Sequence, residues 1–113
     1  MQSFKKDNHE KINGLSINKE KCKSILSLLP KRDKTNLEEI KKNIRSKTKD
    51  ISQKEKAFVI YLWICNNFQY DEGLYSGKEV SYTPRGAFTK GKTVCEGFSR
   101  LFLEIASYIG LTA

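Results

Sequence analysis

Histidine and cysteine are scarce in this chain. His9 is the only histidine, and the three cysteines, Cys22, Cys65 and Cys95, form no C-x-x-C pair. Zinc sites are built from closely spaced Cys and His ligands, so we expect neither a metal site nor a cofactor. An odd, sparse set of cysteines also argues against a disulfide framework. Free thiols favour the cytoplasm, although an exported parent protein stays open as an alternative.

Long apolar segments are also missing. No run of about 18 apolar residues is present, so no membrane-spanning helix is expected. The N-terminus carries basic residues without an apolar segment behind them, so as it stands it is not a signal peptide. The chain has 113 residues, which is enough for one small domain.

Charge and aromatic residues divide the chain near residue 57. The net charge of +8 arises from lysines and arginines in residues 1–56, whereas Phe4 is the only aromatic residue in that part. We therefore predict a basic, helical N-terminal region over residues 1–50 and a domain core over residues 51–113. Nucleic acid is not an expected partner of the basic region, because no aromatic side chains are interleaved there for base stacking.

Hydrophobic periodicity predicts a mostly α-helical chain with about four helices. Apolar residues at helical spacing indicate helices over residues 18–29, 37–44, 52–67 and 95–109. The third begins with a Ser-x-x-Glu capping box, and the fourth stops at a glycine. A short extended segment is predicted at 68–71, and the glycines and proline of 72–92 predict mostly loop.

Residues 86–93, GAFTKGKT, fit the phosphate-loop pattern G-x-x-x-x-G-K-[ST]. Such a loop follows a buried strand and precedes a parallel sheet, and the preceding EVSYTPR, which contains Pro84, is a poor buried strand. A nucleotide site at Gly86–Thr93 is therefore a remote alternative.

The same stretch leads into Cys95 at the start of the last predicted helix. A thiol in the first turn of a helix lies at the positive end of the helix dipole, which favours the thiolate. The N–H groups of that turn have no partners within the helix and point toward any oxyanion that forms there. Gly97 is costly in an ordinary helix, which suggests a close approach to the backbone. On these features alone, a nucleophile and a buried structural cysteine are equally supported.

Two ordered motifs resemble the transglutaminase-like superfamily. Residues 82–113, YTPRGAFTKGKTVCEGFSRLFLEIASYIGLTA, resemble the family's nucleophile segment and the helix that follows it. Residues 55–72, EKAFVIYLWICNNFQYDE, resemble the preceding helix, which ends W-I-x-x-N-x-x-Y-D, here Trp63, Ile64, Asn67, Tyr70 and Asp71. The resemblance covers residues 52–113 and is closest to the bacterial and kyphoscoliosis-peptidase-like branches.

The resemblance implies an α+β, papain-like core in which helices pack on an antiparallel sheet. It also implies that Cys95 is the nucleophile of a Cys-His-Asp site, attacking an amide or peptide bond of a protein or peptide substrate. The resulting thioester would be resolved by an amine, as in an acyltransferase, or by water, as in a cysteine protease or other hydrolase. The Cys95 backbone N–H and a side chain, Tyr70 or Trp63, are the implied oxyanion donors.

One departure from the family pattern concerns the histidine and aspartate, which follow the cysteine helix in the family. Here His9 precedes Cys95. We therefore expect the 113 residues to be a fragment of an acyl-transfer enzyme, truncated before the sheet and incompetent on its own. The alternative is a non-catalytic protein-interaction domain on the same fold. Truncation would expose Phe98, Phe102 and Trp63, so self-association through these faces is expected.

Overall fold

The computed structural model describes residues 17–111, apart from the side chains of residues 74 and 75. His9 and the first sixteen residues of the predicted basic region lie outside this range. Five α-helices lie within it: α1 (Lys19–Ser27), α2 (Leu37–Lys47), α3 (Gln53–Asn67), α4 (Pro84–Lys90) and α5 (Cys95–Tyr108). Two short strands, β1 (Gln69–Tyr70) and β2 (Lys92–Thr93), and two 3-10 turns, Arg32–Lys34 and Glu72–Ser76, connect them. No helix in the described part of the chain is long and apolar enough to span a membrane.

The predicted helices form where their sequence patterns indicate, and α3 carries the predicted capping box. The Ser52 hydroxyl accepts the Glu55 N–H, and the Glu55 carboxylate accepts the Ser52 N–H. The same carboxylate accepts the Asn18 N–H at 2.7 Å, so it also holds the start of α1. The hydrogen bond from the Ser52 backbone contributes most to lowering the pKa of Glu55, and the one from the Asn18 backbone comes next.

Helix α4 was not predicted, and the expectation of a mostly loop segment over 72–92 is wrong for residues 84–90. The Thr83 hydroxyl accepts the Gly86 N–H, and Pro84 occupies the first helical position. Gly91 ends the helix with a φ of +78°, in the left-handed region. Proline at the start and glycine just past the end are the ordinary bounds of a helix, so these residues delimit α4 rather than exclude it.

Helix α3 lies at the centre of the hydrophobic core, and Trp63 is its largest buried side chain. Trp63 is 1% exposed, and its ring stacks on Phe88 and meets Phe68 edge-on. Its Nε1–H donates to the Pro30 carbonyl at 2.9 Å. The expectation that Trp63 is an exposed anchor is therefore wrong, because the loop after α1 and the rings of Phe68 and Phe88 cover it.

Phe98 and Phe102, the other two expected anchors, are half-buried. Two adjoining depressions lie between α3 and α5, and both are lined by Phe102. Phe102 is therefore the residue that the two depressions share, and exposed Tyr61 and Leu103 lie in them on either side of it.

Candidate active site

Cys95 is the first residue of α5, and its thiol is exposed. The N-cap residue is Val94, which offers no side-chain acceptor to the N–H groups of the first turn. Among the three cysteines, Cys65 is also exposed, whereas Cys22 is buried. The structure thus places an accessible thiol beside a helix start whose N–H groups carry no side-chain cap, a setting that suits a group developing negative charge.

The two short strands bring the segment that carries Tyr70 next to the segment that leads to Cys95. Strands β1 and β2 are parallel, with Tyr70 opposite Thr93. Adjacent strands lie about 4.8 Å apart, and Cys95 follows Thr93 by two residues. Tyr70 is 38% exposed, so its side chain reaches the surface. Both predicted site residues therefore lie on neighbouring segments, while Trp63 lies in the core with its N–H group occupied by Pro30.

The packing of Thr93 explains why residue 97 is a glycine. Thr93 is fully buried, and its hydroxyl donates to the Ser81 carbonyl. A Cβ added at Gly97 would lie 1.8 Å from the Thr93 Oγ1 and 2.8 Å from the Thr93 Cβ. The close approach indicated by Gly97 is therefore made by Thr93, which lies against the first turn of α5. Only a glycine at position 97 allows β2 to run this near to the helix that carries Cys95.

Asp71, the residue after β1, links that strand to β2 and to the end of α4. It is buried, and its N–H donates to the Thr93 carbonyl at 2.8 Å. Its carboxylate accepts the Lys90 Nζ at 2.9 Å and the Gly73 N–H at 3.0 Å. The hydrogen bond from Lys90, followed by that from Gly73, holds the pKa of Asp71 below its usual range. Since Lys90 ends α4, this pair ties the residue after β1 to the residue before the Gly91 turn.

The role of Asp71 was missed in the sequence, although the residue belongs to one of the two motifs. The motif's asparagine, Asn67, also has a structural role, because its Nδ2 donates to the Trp63 carbonyl at 2.8 Å in the last turn of α3. Fixed spacing within the motif was the available signal for both residues. No sequence signal singled out Lys90 among seventeen lysines.

The phosphate-loop pattern lies on a helix and a strand in the structure. The Gly86 N–H donates to the Thr83 hydroxyl, the Ala87 N–H to the Thr83 carbonyl, and the Gly91 N–H to the Ala87 carbonyl. The amides of Gly86, Ala87 and Gly91, which would face a phosphate in such a loop, are therefore used within α4 and at its two ends. Residues 17–111 also contain no group of three or more His, Cys, Asp or Glu side chains that could hold a metal ion.

Residues 38–113 match the model of the transglutaminase-like superfamily. The matched range begins in α2 and includes both motifs, Tyr70 and Cys95. Comparison with curated proteins and comparison with solved structures each gave no significant match.

Proposed function

The chain belongs to the transglutaminase-like superfamily, and from that premise we propose that Cys95 is the nucleophile of a cysteine-dependent acyl-transfer enzyme. The observation that carries the proposal is the exposed thiol of Cys95 at the uncapped first turn of α5. In this proposal, residues 51–113 are the N-terminal part of the catalytic core, and residues 1–50 are a basic region before it. The substrate is a protein or a peptide.

The proposed reaction begins when the Cys95 thiolate attacks an amide or peptide carbonyl. An S–C bond forms, and the carbonyl oxygen takes up the negative charge. The Cys95 backbone N–H and the Tyr70 hydroxyl are the donors that we propose for this oxyanion. The intermediate then expels the amine and leaves a thioester, which an incoming amine or water resolves.

Departure of the amine requires a proton, which a histidine supplies in the family. The only histidine of this chain, His9, precedes Cys95 and is given no role in the proposal. An activated ester removes this requirement, because p-nitrophenolate leaves without protonation. Attack by Cys95 on p-nitrophenyl acetate forms the S–C bond, breaks the ester C–O bond and leaves an acetyl thioester on Cys95.

The test is to treat the chain with p-nitrophenyl acetate and locate the acetyl group by peptide mass spectrometry. We expect acetylation of Cys95 to be faster than that of Cys65, which is also exposed. Cys95→Ala should abolish the fast release of p-nitrophenolate, and the matched variant Cys65→Ala should retain it. Equal acetylation of the two thiols would contradict the proposal and favour a non-catalytic interaction domain.

A further inference from the structure

We propose that Arg32 is a positioning residue for Cys95, acting through the end of α4 and the start of β2. Arg32 lies before the family match, which begins at residue 38. The proposal thus adds a segment outside the matched residues to the part of the protein that positions the nucleophile. This inference rests on the proposed function, because it concerns the placement of the nucleophile assigned there.

The guanidinium of Arg32 caps the C-terminal end of α4. Its Nη1 donates to the Phe88 carbonyl at 2.9 Å, in the last turn of the helix, where carbonyls lack helical partners. A positive charge is also favourable at this end of a helix. The guanidinium lies directly on Gly91: a Cβ added there would lie 2.6 Å from the Arg32 Cζ and Nη2.

The backbone of the same segment is fixed to the end of α3. The Arg32 N–H donates to the Asn67 Oδ1 at 2.8 Å, and the Pro30 carbonyl accepts the Trp63 Nε1–H. Asn67 is the last residue of α3, and β1 begins two residues later. Arg32 therefore holds both helix ends from which the paired strands β1 and β2 start.

The path from Arg32 to Cys95 is short. The Gly91 carbonyl accepts the Gln69 N–H at 3.1 Å, which is the first hydrogen bond between the two strands. Cys95 is four residues beyond Gly91. A change in the position of Gly91 would shift this hydrogen bond, the start of β2 and the first turn of α5 together.

The buried part of Arg32 has a cost that packing alone does not explain. Its Nε is buried and has no hydrogen-bond partner among the described residues. A buried donor without a partner lowers stability. Methionine would fill a similar volume without that donor, so the hydrogen bond to Phe88 and the contact with Gly91 are what the arginine adds.

The test measures iodoacetamide alkylation of each cysteine by peptide mass spectrometry in the wild-type chain, Arg32→Met and Arg32→Lys. In this reaction the Sγ–C bond forms and iodide leaves. Exposed Cys65 on α3 is the internal reference, and buried Cys22 reports global opening. Lys34→Met is the matched control, since it removes a charge from an exposed side chain in the same 3-10 turn.

We expect the ratio of the Cys95 rate to the Cys65 rate to fall about threefold or more in Arg32→Met, because the first turn of α5 loses its fixed orientation toward the thiol. Cys22 should stay protected, Arg32→Lys should recover part of the ratio, and Lys34→Met should leave it unchanged. An unchanged ratio in Arg32→Met with Cys22 protected overturns the proposal.

If Arg32→Met exposes Cys22, Arg32→Lys decides. A reduced ratio with Cys22 protected in that variant supports positioning, whereas exposure of Cys22 in both variants, or a wild-type ratio in Arg32→Lys, overturns it. The failure of the proposed function is distinct: it shows in the wild-type chain, as a Cys95 that forms a thioester no faster than Cys65.

Discussion

Gly97→Ala should destabilise the protein, although helix propensity alone predicts the opposite. Replacing a helical glycine by alanine stabilises a helix by about 1 kcal/mol. The new Cβ, however, would lie 1.8 Å from the Thr93 Oγ1. Overpacking of this kind costs about 1–3 kcal/mol, and such a short contact belongs at the upper end. We therefore expect a net loss of about 2 kcal/mol in the free energy of unfolding.

Urea unfolding followed by the fluorescence of Trp63, the single tryptophan, measures this loss. Ser99→Ala, an exposed change on the same helix, is the control and should stay within about 0.5 kcal/mol of wild type. In a double-mutant cycle with Thr93→Ala, the cost of Gly97→Ala should shrink by about 1 kcal/mol. A Gly97→Ala protein as stable as wild type, or purely additive costs, would refute the packing of Thr93 against Gly97.

Three further predictions concern other parts of the molecule. Asp71→Asn should lower stability at neutral pH. Because folding lowers the pKa of Asp71, its carboxylate stabilises the fold at pH values above its unfolded pKa of about 3.9, and this stability is lost as the pH falls through the folded pKa. Thermal melts of the wild-type and Asp71→Asn proteins should therefore converge in acid. A difference in melting temperature that is independent of pH would contradict the ion pair with Lys90. Ser52→Ala should cost about 1 kcal/mol in urea unfolding through loss of the α3 cap, and an unchanged midpoint would contradict it. Light scattering should show self-association that Phe102→Ser weakens and Leu28→Ser, which alters an exposed leucine outside both depressions, does not; a monomeric wild-type chain at high concentration would contradict this prediction.

The helices of the core were predictable because their information is local. The apolar periodicity of α5, its glycine stop and the Ser52–Glu55 box of α3 each lie within one element, and the structure confirms them. The extended segment at 68–71 is confirmed by β1. Helix α4 is harder to predict, because Pro84 and Gly91 are each a loop signal when taken alone and bound a helix only when taken together.

The contacts that arrange the candidate site were not predictable in the same way, since they join residues far apart in the chain. Arg32 donates to Phe88 across 56 positions, and nothing in the pattern around Arg32 indicates that partner. Gly97 did signal a close neighbour, but only the structure identifies it as Thr93. The family motif includes Asn67 and Asp71, but only the structure shows that Asn67 joins the end of α3 to the Arg32 backbone and that Asp71 joins the end of β1 to Thr93.

The measurement that tests the central claim most directly is the ratio of acetyl thioester formed on Cys95 to that on Cys65 with p-nitrophenyl acetate, in the native chain and in the same chain unfolded in urea. Both thiols are exposed in the native structure, so unfolding removes the difference in setting while keeping the local sequence. The proposed function predicts a native ratio clearly above the unfolded one. A native ratio equal to or below the unfolded ratio would contradict the assignment of Cys95 as the nucleophile.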